Sequence, residues 1–212
     1  MKIISRAAAL FFLLALAAAA QHAAGSKEHP APENSGMHTH AAGAPVTYAE
    51  LKNTVTQLEL AHRATAKYQD VHVAEAEGYR PIGPDFPGAG VHYVLTLDPK
   101  AFEAEKPPIL LYEKDPAAPN GYSLVGVTYL LKAEAGPDGQ PMTSPFPKAL
   151  ARWHRHDHLC IFQDGSNPHG FTENQCREKG GHFIAETQWM LHAWIWRDSP
   201  SGVFSAENPT VR

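Results

Sequence analysis

The chain has 212 residues, with 18 basic and 22 acidic side chains and a formal charge of −4 at neutral pH. That mildly acidic balance gives no electrostatic footprint for nucleic acid. Histidine is the outlier at 13 residues, and imidazoles that are uncharged near neutrality can bind metal or exchange protons.

The chain opens with Lys2 and Arg6, an apolar run from Ala7 to Ala20, and small residues after it. This pattern predicts a cleaved secretory signal over residues 1–20 rather than a membrane span, and so a periplasmic or secreted product. Losing Lys2 and Arg6 takes the formal charge from −4 to −6. Residues 21–46 lack periodicity and are rich in Ala, Gly and Pro, which predicts a disordered leader. It carries His22, His29, His38 and His40, with Met37 beside the last pair. A solvated linker and a metal-collecting tail both fit. Cleavage before Ala20 would place His22 third from the new amino terminus, where backbone nitrogens and one imidazole can chelate Cu(II) or Ni(II).

Residues 47–212 read as a single α+β domain: a long helix, then a mostly antiparallel sheet, with a partial barrel as one closure. The helix is expected from Thr47 to Glu77. Thr47 and Glu50 form a capping-box pattern, an apolar stripe runs from Leu51 through Val55, Leu58 and Ala61 to Ala74, and Gly78 stops it. "GYRPIGPDFPGAG" reads as a loop. Strands are expected over 91–95, 108–114, 122–132, 152–162 and 182–196, with an Asn-Gly turn joining the second and third. Cys160 and Cys176 in an exported chain predict a disulfide closing a loop of 15 residues.

The segment "RWHRHDHLC" places His154, His156 and His158 in alternation. On a strand, residues two apart share a face at ~7 Å, and imidazoles so placed can meet at one ion through ~2.0–2.1 Å bonds. Residues four apart cannot do so easily. The expected metal ligands are therefore His154 and His156, completed by His92 or His192 from other strand candidates, with His158 as a flank. Glu113 and Glu186 are the candidate carboxylate ligands or bases. Imidazoles suit Zn and Cu. A thiolate–copper site competes with the disulfide for Cys160, and its other candidate ligands, His169 and Met190, are widely spaced. No G-x-S-x-G elbow supports nucleophilic hydrolysis. Trp153, Trp189, Trp194 and Trp196 could wall a dry histidine site.

"AEGYRP", "GVHYV", "PILLYE", "LVGVTYLL", "WHRHDHLC", "GGHFIAETQWMLHAWIW" and "GVFSAENP" together resemble a family of exported bacterial proteins with no assigned activity. The resemblance covers roughly residues 62–212. It implies that His92, His154, His156 and His192 occupy shared motif positions, while Ala89 departs from a methionine expected there. The expectation from the sequence is an exported metal-binding domain without a membrane span. A metalloenzyme using the same histidines is one alternative. A ligand-binding or structural envelope protein, in which they form a packed polar layer, is the other.

Overall fold

A computed structural model describes residues 45–164, 166 and 170–212. The predicted signal, the four leader histidines with Met37, and His169 lie outside the described residues.

Helix α1 (Tyr48–Thr65) starts as its sequence dictates. The Thr47 hydroxyl accepts from the Glu50 amide, and the Glu50 carboxylate accepts from the Thr47 amide. The expected single helix to Glu77 is in fact three pieces. A 3-10 turn (Ala66–Gln69) follows α1, and α2 (Val71–Ala76) restarts after Asp70, whose carboxylate caps the His72 amide. Asp70 favours a cap over a helix interior because its short side chain competes for backbone donors. The apolar stripe divides with the helix: Ala61, Tyr68, Val71 and Ala74 are buried, whereas Leu51 and Val55 are exposed.

Five antiparallel strands form the main sheet in the order β1-β2-β3-β4-β7. They are β1 (Arg80–Phe86), β2 (Gly90–Val94), β3 (Ile109–Lys114), β4 (Tyr122–Leu131) and β7 (Trp189–Ala193). A second sheet pairs β5 (Asp157–Ile161) with β6 (His182–Glu186), and α3 (Glu173–Glu178) lies between them in sequence. The α+β class with an antiparallel sheet is as expected, and the main sheet is open rather than a closed barrel.

Three local expectations fail for identifiable reasons. Strand β1 lies where Gly and Pro predicted a loop. It is an edge strand, where Pro81 and Pro84 need not donate to a ladder, and its register breaks between Ile82 and Phe86 around Gly83 at φ +81°. Residues 152–162 are not one strand: His154 makes only a two-residue bridge to Met190, and His158 sits at φ +54°, which interrupts the alternation. Residues 182–196 are two strands in different sheets, β6 and β7.

Apolar residues alternate to fill both faces of the sheet. Leu110, Val127, Tyr129, Leu191 and Ala193 join Ala61, Tyr68 and Ala74 of the helical segments in one cluster. Ile109, Leu111, Val125, Leu130 and Met190 join Trp194 and Val211 in a cluster on the other side. The same alternation turns His92 on β2 and His192 on β7 away from the helices. Cys160 on β5 and Cys176 on α3 form the expected disulfide, with Cα atoms 5.6 Å apart and both residues fully buried.

Candidate functional site

Gly90 fixes the approach of β2 to β3. It stands at φ +73°, and a Cβ there would lie 2.4 Å from the Tyr112 carbonyl oxygen. The tight approach sets the next inward residue, His92, opposite Leu111. His192 lies opposite Thr128 on the far side of β3 and β4. Three strand spacings would separate the two by ~14 Å on a flat sheet. Their ring centres are 5.5 Å apart, so the sheet curls about this point.

His154 is delivered by the chain entering the second sheet. Its amide donates to the Met190 carbonyl at 3.0 Å and its carbonyl accepts from the Met190 amide at 2.7 Å. That bridge sets its ring 5.1 Å from His192. His156 follows, its backbone held by Thr187: the amide donates to the hydroxyl, and the carbonyl accepts from the Thr187 amide. The His154 and His156 rings are 5.2 Å apart. All four histidines line one cavity of about 330 Å³. His158 does not; it lines a separate surface depression beside Phe183.

The ring nitrogens divide by partner. The His192 Nδ1 lies 2.6 Å from the Ala206 carbonyl oxygen, which can only accept, so Nδ1 carries the proton and Nε2 keeps its lone pair. The His192 Nε2, His92 Nδ1 and His154 Nδ1 are buried without a hydrogen-bond partner. Such groups are rare because each costs free energy to bury. Burial pushes His92 down to about 4; the backbone at Gly90 offsets part of this and repulsion from His156 and His154 adds to it. Burial also brings His154 to about 4, aided by His156 and partly offset by the backbone at Arg152. His192 falls well below its ordinary value, first through burial and then through His92 and His154. These rings are therefore neutral at physiological pH, the form that ligates metal.

Two imidazoles sharing a tetrahedral ion through ~2.0–2.1 Å bonds hold their ring centres about 5 Å apart. The three neighbouring pairs here stand at 5.1, 5.2 and 5.5 Å. Their planes cross at 58–90°, and among the described residues no group of three or more His, Cys, Asp or Glu side chains forms a ready-made metal cage. The spacing suits a shared ion, and ring rotation would have to bring the lone pairs together.

The carboxylates named from the sequence lie elsewhere. Glu113 is buried in a structural ion pair, accepting from Arg197 Nη2 at 2.7 Å and from the Arg212 amide at 2.8 Å. Glu186 is exposed and paired with Arg155. Neither lines the cavity, so neither is placed to act there as ligand or base. The disulfide removes both cysteines as thiolate ligands. Trp194 packs on a site ring, 5.7 Å from His192, and none of the four tryptophans lines the cavity. Trp196 lies beyond the end of β7 and stacks on His62 instead, with ring centres 3.9 Å apart.

Sequence reasoning missed the wall supplied by the C-terminal segment. Ala206 and Glu207 line the cavity. Buried Asn208 holds that segment: its amide donates to the Gly88 carbonyl, and its side chain donates to the Arg197 and Asp198 carbonyls. The only hint was "SAENP" at the end of the quoted motifs. No helix among the described residues is long and apolar enough to cross a membrane. The chain matches no family model, no curated protein and no solved structure.

Proposed function

We propose that this protein is an exported metal-binding protein whose site is the imidazole cluster of His92, His154, His156 and His192. One observation carries the reading. Three buried ring nitrogens lack any partner, and they sit on neutral rings spaced as a shared ion requires. An all-imidazole set suits Zn(II) or Cu(II). The Ala206 carbonyl would orient His192 as an outer-shell acceptor commonly orients a ligating histidine. A bound ion would act as a Lewis acid in an apolar pocket. The disulfide agrees with passage through an oxidising compartment.

Calorimetry and metal analysis on protein made without an affinity tag test this. One Zn(II) or Cu(II) per chain is expected, lost in His154→Ala/His192→Ala while a variant lacking the four leader histidines retains it. Absence of a stoichiometric ion in the wild type, or binding unchanged in the double variant, refutes it.

A further inference from the structure

The cavity is far larger than an ion. About 330 Å³ falls within the size range of small-molecule sites, whereas one water claims only ~30 Å³. Away from the imidazoles its walls are Ile82, Val94, Leu97, Leu159, Ile161 and Met190, drawn from both sheets. Glu207, exposed, is the sole lining side chain with a fixed charge among the described residues. Among the described residues no Lys or Arg lines the cavity to hold a carboxylate or phosphate.

We infer that this pocket also takes a neutral small molecule with an apolar body the size of a substituted aromatic ring, its one donor atom directed at the imidazole cluster. The direction of the donor atom rests on the metal reading above; the apolar occupancy does not.

Co(II)-loaded protein, titrated with imidazole and with phenylimidazole while the visible bands are followed, tests both parts. Burying the phenyl group should make phenylimidazole about ten- to hundredfold tighter. Ile161→Asp should erase that advantage and leave imidazole affinity unchanged. In parallel, metal-free protein is titrated with neutral N-phenylnaphthylamine, whose fluorescence should rise on binding and fall when phenylimidazole displaces it. Co(II) bands with equal affinities for the two azoles, and no dye binding, overturn the inference and leave the metal site standing. Dye binding without Co(II) bands does the reverse: it supports the apolar site and removes the metal.

A second inference stands on the opposite side of the main sheet. Tyr48, Leu51, Val55, Leu58 and His62 recur along α1 at alternating spacings of three and four, the seam of paired helices. Tyr48 is 82% exposed, Leu51 48% and Val55 46%, an unusual outlay for apolar side chains. Farther along, Val55, Leu58 and His62 face Ile195 across a groove of about 410 Å³. One end of the helix thus presents what the other end can receive, as a two-fold interface needs. The charges agree. Lys52 and Glu59, both exposed, flank the seam on one side, whereas Thr54 and Ala61 on the other are packed within the protein. An antiparallel crossing near Thr56 sets Lys52 against Glu59 of the second copy, because both lie on the same side of the seam. A parallel pair would set Lys52 and Glu59 against uncharged Thr54 and Ala61.

We propose that α1 docks antiparallel on α1 of a second copy of this chain. Sedimentation of the full mature chain should show a dimer at micromolar concentration. Val55→Asp should make it monomeric while it still unfolds cooperatively, at a midpoint that no longer rises with protein concentration. Lys52→Glu and Glu59→Lys should each weaken the dimer about tenfold, and combining them should restore it. A wild-type monomer up to millimolar concentration overturns the proposal. So does a dimer insensitive to Val55→Asp, or a dimer that appears only after removal of the leader, which would identify the leader as the occupant.

Discussion

Replacing His92 and His154 together by leucine separates a ligand site from a packed polar layer. Both rings have a buried Nδ1 with no partner, and the backbone contacts at Gly90 and Arg152 only partly offset the cost of burying them. An unsatisfied buried polar atom costs about 1–3 kcal/mol. Leucine removes that cost at similar volume, and imperfect repacking returns less than ~1.5 kcal/mol. The metal-free double variant should therefore be as stable as the wild type or more stable, by up to about 3 kcal/mol, which is several degrees in Tm for a domain of this size. His192 is left in place because its Nδ1–H bond to Ala206 would be lost with it. Thermal and urea unfolding in the presence of a chelator measure the change. Added Zn(II) should raise the wild-type Tm by mass action and leave the variant unmoved. A variant destabilised by more than about 2 kcal/mol, together with a wild type indifferent to metal, would refute the reasoning and make the histidines structural.

Acid should weaken the metal-free protein. His92 and His154 titrate near 4 in the fold against about 6.5 unfolded, so between those values the unfolded chain holds more protons. Stability is then full above pH 6.5 and falls as pH drops towards 4, by on the order of 2–3 kcal/mol per ring; urea midpoints across this window that do not move contradict it. Gly90→Ala forces a Cβ to 2.4 Å from the Tyr112 carbonyl at φ +73°, and should cost more than ~3 kcal/mol in urea unfolding, whereas Gly121→Ala, at the same φ with nothing within 4 Å, should cost about 1–2. Reducing Cys160–Cys176 opens a loop of sequence separation 16 and should cost about 3 kcal/mol by denaturant midpoint; an unchanged midpoint would mean that the β5–β6 hairpin and α3 hold without the bond.

Residue spacing singled out His154 and His156 as a pair to be completed by His92 or His192, but not the way in which all four come to line one cavity. A strand through 152–162 predicts His154, His156 and His158 on one face. The chain instead bridges to Met190 for only two residues and then turns at His158, whose φ of +54° no alternation rule foresees. His154 and His156 still reach the same cavity because separate anchors, Met190 and Thr187, aim their backbones. His92 and His192 carried no sign that they would be neighbours: three strand spacings part them, and only the curl of the sheet brings their rings to 5.5 Å. That curl is a property of the whole sheet, to which the unforeseen edge strand β1 and the C-terminal segment contribute. Helix α3 was a different omission, since Thr172 and Gln175 form the same reciprocal cap as Thr47 and Glu50. At six residues it lacks the apolar period that made the longer helix visible. Local chemistry therefore exposed the candidate ligands and the disulfide, while the pocket that gives the ligands a common target depends on contacts between Gly88, His192 and residues 206–208 that no local pattern encodes.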